Sequence, residues 1–339
     1  MTKESWRNLF LAGIIVVIFT LGLRAIAPDS VSAPDFDGRN PKGEVVISVA
    51  RGDAGSEIAK KLFEAGVVKS SEAFFRIAVI DQRSTRIAPG EHRIQGNISA
   101  SQALEQMLDP SRIANLIVVR DGAWQSEIVN QFVSAGFSPK SIEAAIKAAQ
   151  IPSSFKSTNL EGFLYPAFYS IATGETPKDL INEMLKRFAF STKGIDWNAR
   201  SGFTPYEILT IASLIETEGT PDVHRKVARV IYNRLAARMP LQLDSTVHYI
   251  LQRRGEIQVS LDETKLNSPY NTFVRQGLPP TPIGSPTLAS IEAALDPEPG
   301  DWLYFVTVKP GETRFTSQYQ EFLSFKALYK KNLAAGLFK

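Results

Sequence analysis

Between Arg7 and Arg24 the chain carries no charged side chain, and residues 8–23 read NLFLAGIIVVIFTLGL. A run of this kind enters a bilayer or is cut away, so it splits the chain into a leader and everything after it. Sixteen residues fall slightly short of a span, which takes roughly 20. Arg24 can snorkel, however, and Ala25-Ile26-Ala27 lengthens the apolar stretch. The alternative is a signal peptide cleaved after Ala25-x-Ala27, which Pro28 opposes. The expectation is an uncleaved transmembrane anchor over residues 1–27, with Lys3 and Arg7 keeping the N-terminus in the cytoplasm and the rest of the chain beyond the membrane. The absence of cysteine agrees, and it excludes disulfides, thiolate zinc sites and cysteine-linked lipids.

Residues 28–43, PDSVSAPDFDGRNPKG, read as a linker from the membrane. Next comes a strand at Val45–Ala50, with Asp53 or Ser56 placed to cap a helix that Gly66 ends. A second helix fits Ser71–Asp81, where AFFRIAVI (73–80) reads as packing. Residues 87–94 are strand-like, and Ser99 opens a helix at 99–109. From 115–122, NLIVVRDG, a second unit begins, with helices at 123–135, 140–149, 177–190, 204–218 and 221–238. WLYFVTV (302–308) is a late strand, and a final helix covers Ser317–Ala335, where Tyr319, Phe322, Phe325 and Tyr329 recur at core spacing. The expected class is α+β: a transmembrane helix, a small α+β subdomain over 44–110 and a larger, mainly helical α+β domain over 111–339. Net charge is only +3, which gives no reason to expect nucleic acid as a partner. His92, His224 and His248 are scattered and form no HExxH pattern, so neither a metal nor another cofactor is expected. The stretch 267–286, NSPYNTFVRQGLPPTPIGSP, holds five prolines and should be extended and stiff.

Chemistry enters at ASLIETEG, residues 212–219, where an apolar helix ends in two glutamates. At 100° per residue Ile208, Ile211, Ala212 and Ile215 share one face, opposite Glu207, Thr210, Ser213 and Thr217. Glu216 and Glu218 fall on opposite borders of that face, so they cannot act as a close pair on one bond. Glu218 sits in the last turn, where the negative end of the macrodipole favours a protonated carboxyl, the state of a general acid. Gly219 leaves backbone room, and Thr220-Pro221 restarts a helix. A partner carboxylate is not visible nearby; Asp244 and Glu161 are candidates from elsewhere. A plain surface role, paired with Arg225 or Lys226, is the competing reading of either glutamate.

ASLIETEG is followed by KVARVIYNRLAARMPLQLDSTVHYIL (226–251), and the chain also contains EGFLYP (161–166), NSPYNT (267–272), GLPPTPIGSP (277–286) and WLYFV (302–306). In this order the set resembles the YceG-like endolytic murein transglycosylases, the MltG family, over residues 44–335. The resemblance implies a single-pass protein of the bacterial inner membrane, with a LysM-like subdomain at 44–110 and a catalytic domain at 111–339 outside the cytoplasm. It implies an endolytic lyase that cuts the MurNAc-β-1,4-GlcNAc bond of nascent peptidoglycan strands to leave 1,6-anhydro ends, beside the peptidoglycan synthases as partners. It also implies Glu218 as acid/base. A hydrolase of the same bond and an inactive glycan-binding scaffold are the alternatives. Two departures stand out: the family commonly has Asp where this chain has Ala167, and some members have His where Thr313 and Arg314 stand.

On the resemblance, Gln242, Asp244 and Thr246 are candidates to contact sugar hydroxyls, because alternation puts them on one side of an extended LQLDST. Tyr270 and Asn271 are expected to line the cleft, and Glu161 and Tyr165 to support it. Glu216 is expected to assist from the other border, and Arg234 to be a structural partner.

Overall fold

A computed structural model of the chain describes residues 33–255 and 259–338. The expected anchor at 1–27 lies outside the described residues, and among those described no helix is long and apolar enough to cross a membrane. The class is α+β, with seven strands and eleven α-helices among the described residues. The chain divides into two units at Ala114/Asn115.

The first unit contains β1 (Glu44–Val49), α1 (Gly55–Glu64), α2 (Ser71–Ile80), β2 (Gly90–Gln95), α3 (Ala100–Leu108) and β3 (Ile113–Ala114). β1 and β3 pair antiparallel with β2, with Val46 opposite Arg93 and His92 opposite Ile113. Because β3 completes this sheet, the unit runs through Ala114 rather than ending at 110. Alternation turns Ile47, Val49 and Ile94 inward onto Leu62, Phe74, Leu104 and Met107. The Ser99 capping box starts α3 as its sequence suggests, with Gln102 reciprocating. Asp53 does not cap α1. The N-cap is Ala54, and Asp53 instead accepts from the Ala50 N–H and the Lys61 ammonium. AFFRIAVI is only partly packing, since Ala73 and Phe74 are buried while Phe75, Val79 and Ile80 are exposed.

The second unit contains β4 (Leu116–Val119), α4 (Gln125–Ser134), α5 (Pro139–Ala148), β5 (Ala167–Ser170), α6 (Pro177–Ser191), α7 (Pro205–Glu218), α8 (His224–Ala236), α9 (Asp244–Leu251), α10 (Leu288–Leu295), β6 (Tyr304–Lys309), β7 (Glu312–Thr316) and α11 (Tyr319–Ala334). β4 pairs antiparallel with β5, and β6 with β7. At the centre lies α7, which Thr204 and Glu207 start with a capping box. Every residue from Ile208 to Ile215 is buried, so the helix has no wet face there. The expected polar side is therefore internal: Thr210 donates to Tyr206 O, while Ser213 donates to Thr210 O and accepts from the Ile283 N–H. Local hydroxyl bonds of this kind let small polar side chains enter a core. α8, α9 and α10 pack around α7.

The proline-rich stretch at 267–286 carries no strand or α-helix and packs inward at its end, where Pro282, Ile283, Gly284, Ser285 and Pro286 are buried. Gly284 has φ +155, and a Cβ there would meet Gly122 O at 2.5 Å. Side by side with that contact, Gly122 N donates to Ser285 O and Ser285 N to Ala123 O. Gly284→Ala is therefore expected to cost about 2–4 kcal/mol, through backbone strain and a backbone collision with nowhere to move. Urea unfolding should show this as a lower midpoint at unchanged slope.

Candidate active site

α7 ends at Glu218 because Gly219 takes up an extended conformation (φ −153) in place of a helical one. A Cβ on Gly219 would sit 2.9 Å from Val223 Cγ2, so glycine allows the turn to fold tightly over the next helix. That helix starts at His224, later than Thr220-Pro221 suggests, since residues 220–223 close a turn with Val223 N donating to Thr220 O. The His224 ring bonds Gly219 O at 3.0 Å and ties the turn down.

Glu218 faces the N-terminus of α9. Ser245 Oγ donates to Glu218 Oε1 at 2.5 Å. Protein surrounds the carboxyl closely, while the residue as a whole keeps partial solvent access. Burial pushes its pKa up to about 7; the Ser245 bond and Arg234 work against that rise, and the Asp244 carboxylate adds to it. A carboxyl poised there can give a proton and take one back near neutral pH. The 242–246 segment is not the extended strand that its alternation suggests. Gln242 is exposed and left-handed (φ +52), whereas Asp244 opens a helix. Thr246 is buried, donating to Leu243 O and touching Thr272 Oγ1, so it shapes the wall from behind. Asp244 stays exposed beside Glu218, and Ser245, which sequence reasoning passed over, is the residue that touches it.

One helical turn further along α9, Tyr249 donates to Glu161 Oε2 at 2.9 Å, and the Gln125 N–H donates to Oε1 at 3.0 Å. Ser245 and Tyr249 share a face of α9 and each holds a carboxyl. Glu161 is 5% exposed, and burial pushes it up to about 7 as well. Glu161 thereby ties α9 to the first turn of α4. Tyr270 packs on Tyr249 with ring centroids 5.1 Å apart and bonds Thr281, carrying the brace into the proline-rich stretch. Asn271 is buried and donates to Thr264 O and Leu266 O, organising its own loop. Tyr165 is half-buried and packs on the core, its carbonyl accepting from the Tyr169 hydroxyl.

Glu216 points to a different helix. Its Oε2 accepts from Thr287 N (2.9 Å), Thr287 Oγ1 (2.6 Å) and Ser290 Oγ (2.7 Å), at the start of α10. The two glutamates are thus held by separate helices, as the wheel requires. Arg234 is 8% exposed and donates to Leu303, Pro240 and Leu241 carbonyls, joining α8 to the residue just before β6 and to the segment before α9. At the departures, Ala167 lies in β5 opposite Val119, and Thr313 bonds Thr307 across the β6–β7 hairpin. Among the described residues no group of His, Asp and Glu is arranged to hold a metal ion.

The YceG-like family profile matches residues 47–327. The chain is 30% identical over 312 residues to the endolytic murein transglycosylase of Bacillus subtilis, covering 86% of each chain. It is 29% identical to the endolytic murein transglycosylase of Streptococcus pneumoniae D39 across 83% of its own length, but spans only 58% of that longer relative. A crystal structure of a YceG-like protein from Listeria monocytogenes superposes with a TM-score of 0.55 at 28% identity, covering 84% of this chain and 99% of that one. With most of its length matched by the profile, the chain belongs to the YceG-like family.

Proposed function

We propose that this protein is an endolytic murein transglycosylase, a lyase that cleaves peptidoglycan strands between N-acetylmuramic acid and N-acetylglucosamine with Glu218 as acid and base. The observation that carries the reading is a partly accessible carboxyl, raised to about 7 and held by Ser245 at a helix end. Neutral Glu218 protonates the glycosidic oxygen, and the bond from the muramic C1 breaks with its electron pair going to that oxygen. The resulting carboxylate then removes the proton from the same sugar's O6, and O6 bonds to C1. The strand ends in a 1,6-anhydro ring and no water is consumed. The nucleophile belongs to the substrate, so a single enzyme carboxyl suffices.

Digestion of uncrosslinked glycan strands followed by mass analysis tests this. Anhydro ends are expected; reducing muramic ends would indicate a hydrolase, and intact strands a glycan-binding scaffold.

The pH dependence follows from the first step. Below about 7 Glu218 is mostly protonated and competent, so kcat/KM should fall as pH rises through that value. Ser245 lowers the pKa by favouring the carboxylate. In Ser245→Ala the falling limb should therefore move to higher pH, which a rate profile over pH 5–9 reads directly.

The strand–helix–helix–strand order of the first unit supports a LysM-like role in glycan binding. The apolar run at 8–23 supports a single-pass inner-membrane anchor that places the catalytic unit outside the cytoplasm, near the strand-building synthases. The mass of the mature protein tests the anchor, because loss of residues 1–27 would exclude it.

A further inference from the structure

The aromatic residues of the C-terminal helix do not all behave as core. Phe325 is buried, but Tyr319 is 54% exposed and Phe322 only half-buried. Phe322 stacks on Tyr304 of β6 with centroids 4.9 Å apart at 25°, and Tyr319 tilts against the same ring at 5.7 Å. These three rings form one partly open aromatic ledge.

The ledge adjoins the Glu218 site through Arg234. That guanidinium lies 5.2 Å from the centre of the Tyr304 ring while it holds Leu241 O, just before the helix whose Ser245 binds Glu218. On the same face of α11, Lys326 sits 5.5 Å from the Phe322 ring, and its charge reaches Asp244. Arg234 therefore ties the ledge to the segment that leads into the helix holding Glu218. Pyranose rings present apolar C–H faces, and aromatic side chains take them by stacking at low entropic cost. A small, partly open aromatic cluster tied to the segment that holds a glycan-cleaving carboxyl favours a sugar over a protein partner, which would need a larger apolar area.

We propose that Tyr319, Phe322 and Tyr304 form a sugar-binding subsite that stacks a pyranose of the bound glycan strand away from the scissile bond, with Lys326 at its rim. The proposal rests on the glycan-cleaving reading above. A stacking contact is uniform binding, so it lowers KM and leaves the chemical step alone.

The test compares wild type, Tyr319→Ala, Tyr319→Trp and Phe322→Ala on uncrosslinked glycan strands, with thermal melts as controls. Tyr319→Ala is expected to raise KM about 3–10-fold with kcat unchanged, the value of one aromatic stacking contact. Tyr319→Trp should restore KM, which a merely structural loss would not allow. Phe322→Ala should raise KM further. If wild type cleaves the strands and both alanine variants keep its KM, the subsite is refuted while the catalytic reading stands. If wild type neither cleaves nor binds them, the two fall together.

Discussion

Glu218→Gln should reduce strand cleavage by about 10²–10⁴-fold, the usual worth of a positioned general acid. The amide keeps the size of the side chain and can still accept from Ser245, so the site should hold its shape. What it loses is the proton that the leaving oxygen needs. Binding to uncrosslinked strands should survive, so an immobilised variant should retain glycan that the wild type releases as fragments. Stability supplies a second readout. The folded pKa, about 7, lies above the ordinary 4.5, so between those values the folded state binds more protons than the unfolded one. Stability from this group therefore falls as pH rises across that window, and the variant removes the loss. Its melting temperature relative to wild type should rise between pH 5 and pH 8. Some slope should remain, because Glu161 is raised to about 7 by the same cause. Full activity in the variant would remove Glu218 from the mechanism, whatever the melts show.

The sequence carried the helices well where periodicity and caps agree, as in α7 and α3, since both signals are local. It misjudged α7 in one respect. Thr210 and Ser213 look like a wet face, yet both are buried because their hydroxyls bond within the turn and to the arriving Ile283. LQLDST misled for a related reason: alternation of polar and apolar residues fits a strand, but the segment breaks at left-handed Gln242 and turns helical at Asp244. The opposition of Glu216 and Glu218 followed from helix geometry alone. The partners that give those glutamates different roles did not, since Ser245, Thr287 and Ser290 are brought in by long-range packing that no local pattern encodes. Glu161 shows the same limit. Its motif marked it as interesting, but only the fold reveals that Tyr249 and the Gln125 N–H occupy both oxygens.

Glu216→Ala should be the most destabilising change at the helix end, costing about 3 kcal/mol. Three donors converge on one carboxylate oxygen: the Thr287 N–H, the Thr287 hydroxyl and the Ser290 hydroxyl. They stand at the N-terminus of α10, where a negative charge is favoured by the helix dipole. Alanine strands both Thr287 donors and leaves the fully buried Ser290 hydroxyl only the Thr287 carbonyl, 3.0 Å away. α10 packs along α7, so loosening its first turn also loosens the helix that carries Glu218. Glutamine can still place an oxygen among the donors, and without the charge it should cost only about 1 kcal/mol. The pair of variants separates support from chemistry. If Glu216 is a brace, Glu216→Gln should keep most of the turnover wherever the protein is folded, and the activity lost by Glu216→Ala should track its lower urea midpoint. If Glu216→Gln abolished cleavage at an unchanged midpoint, the brace would be the wrong description and Glu216 would have to touch the reacting sugar. The geometry argues against that outcome, because a carboxylate oxygen already accepting three hydrogen bonds at another helix's start is poorly placed to shuttle protons at the far border of its own.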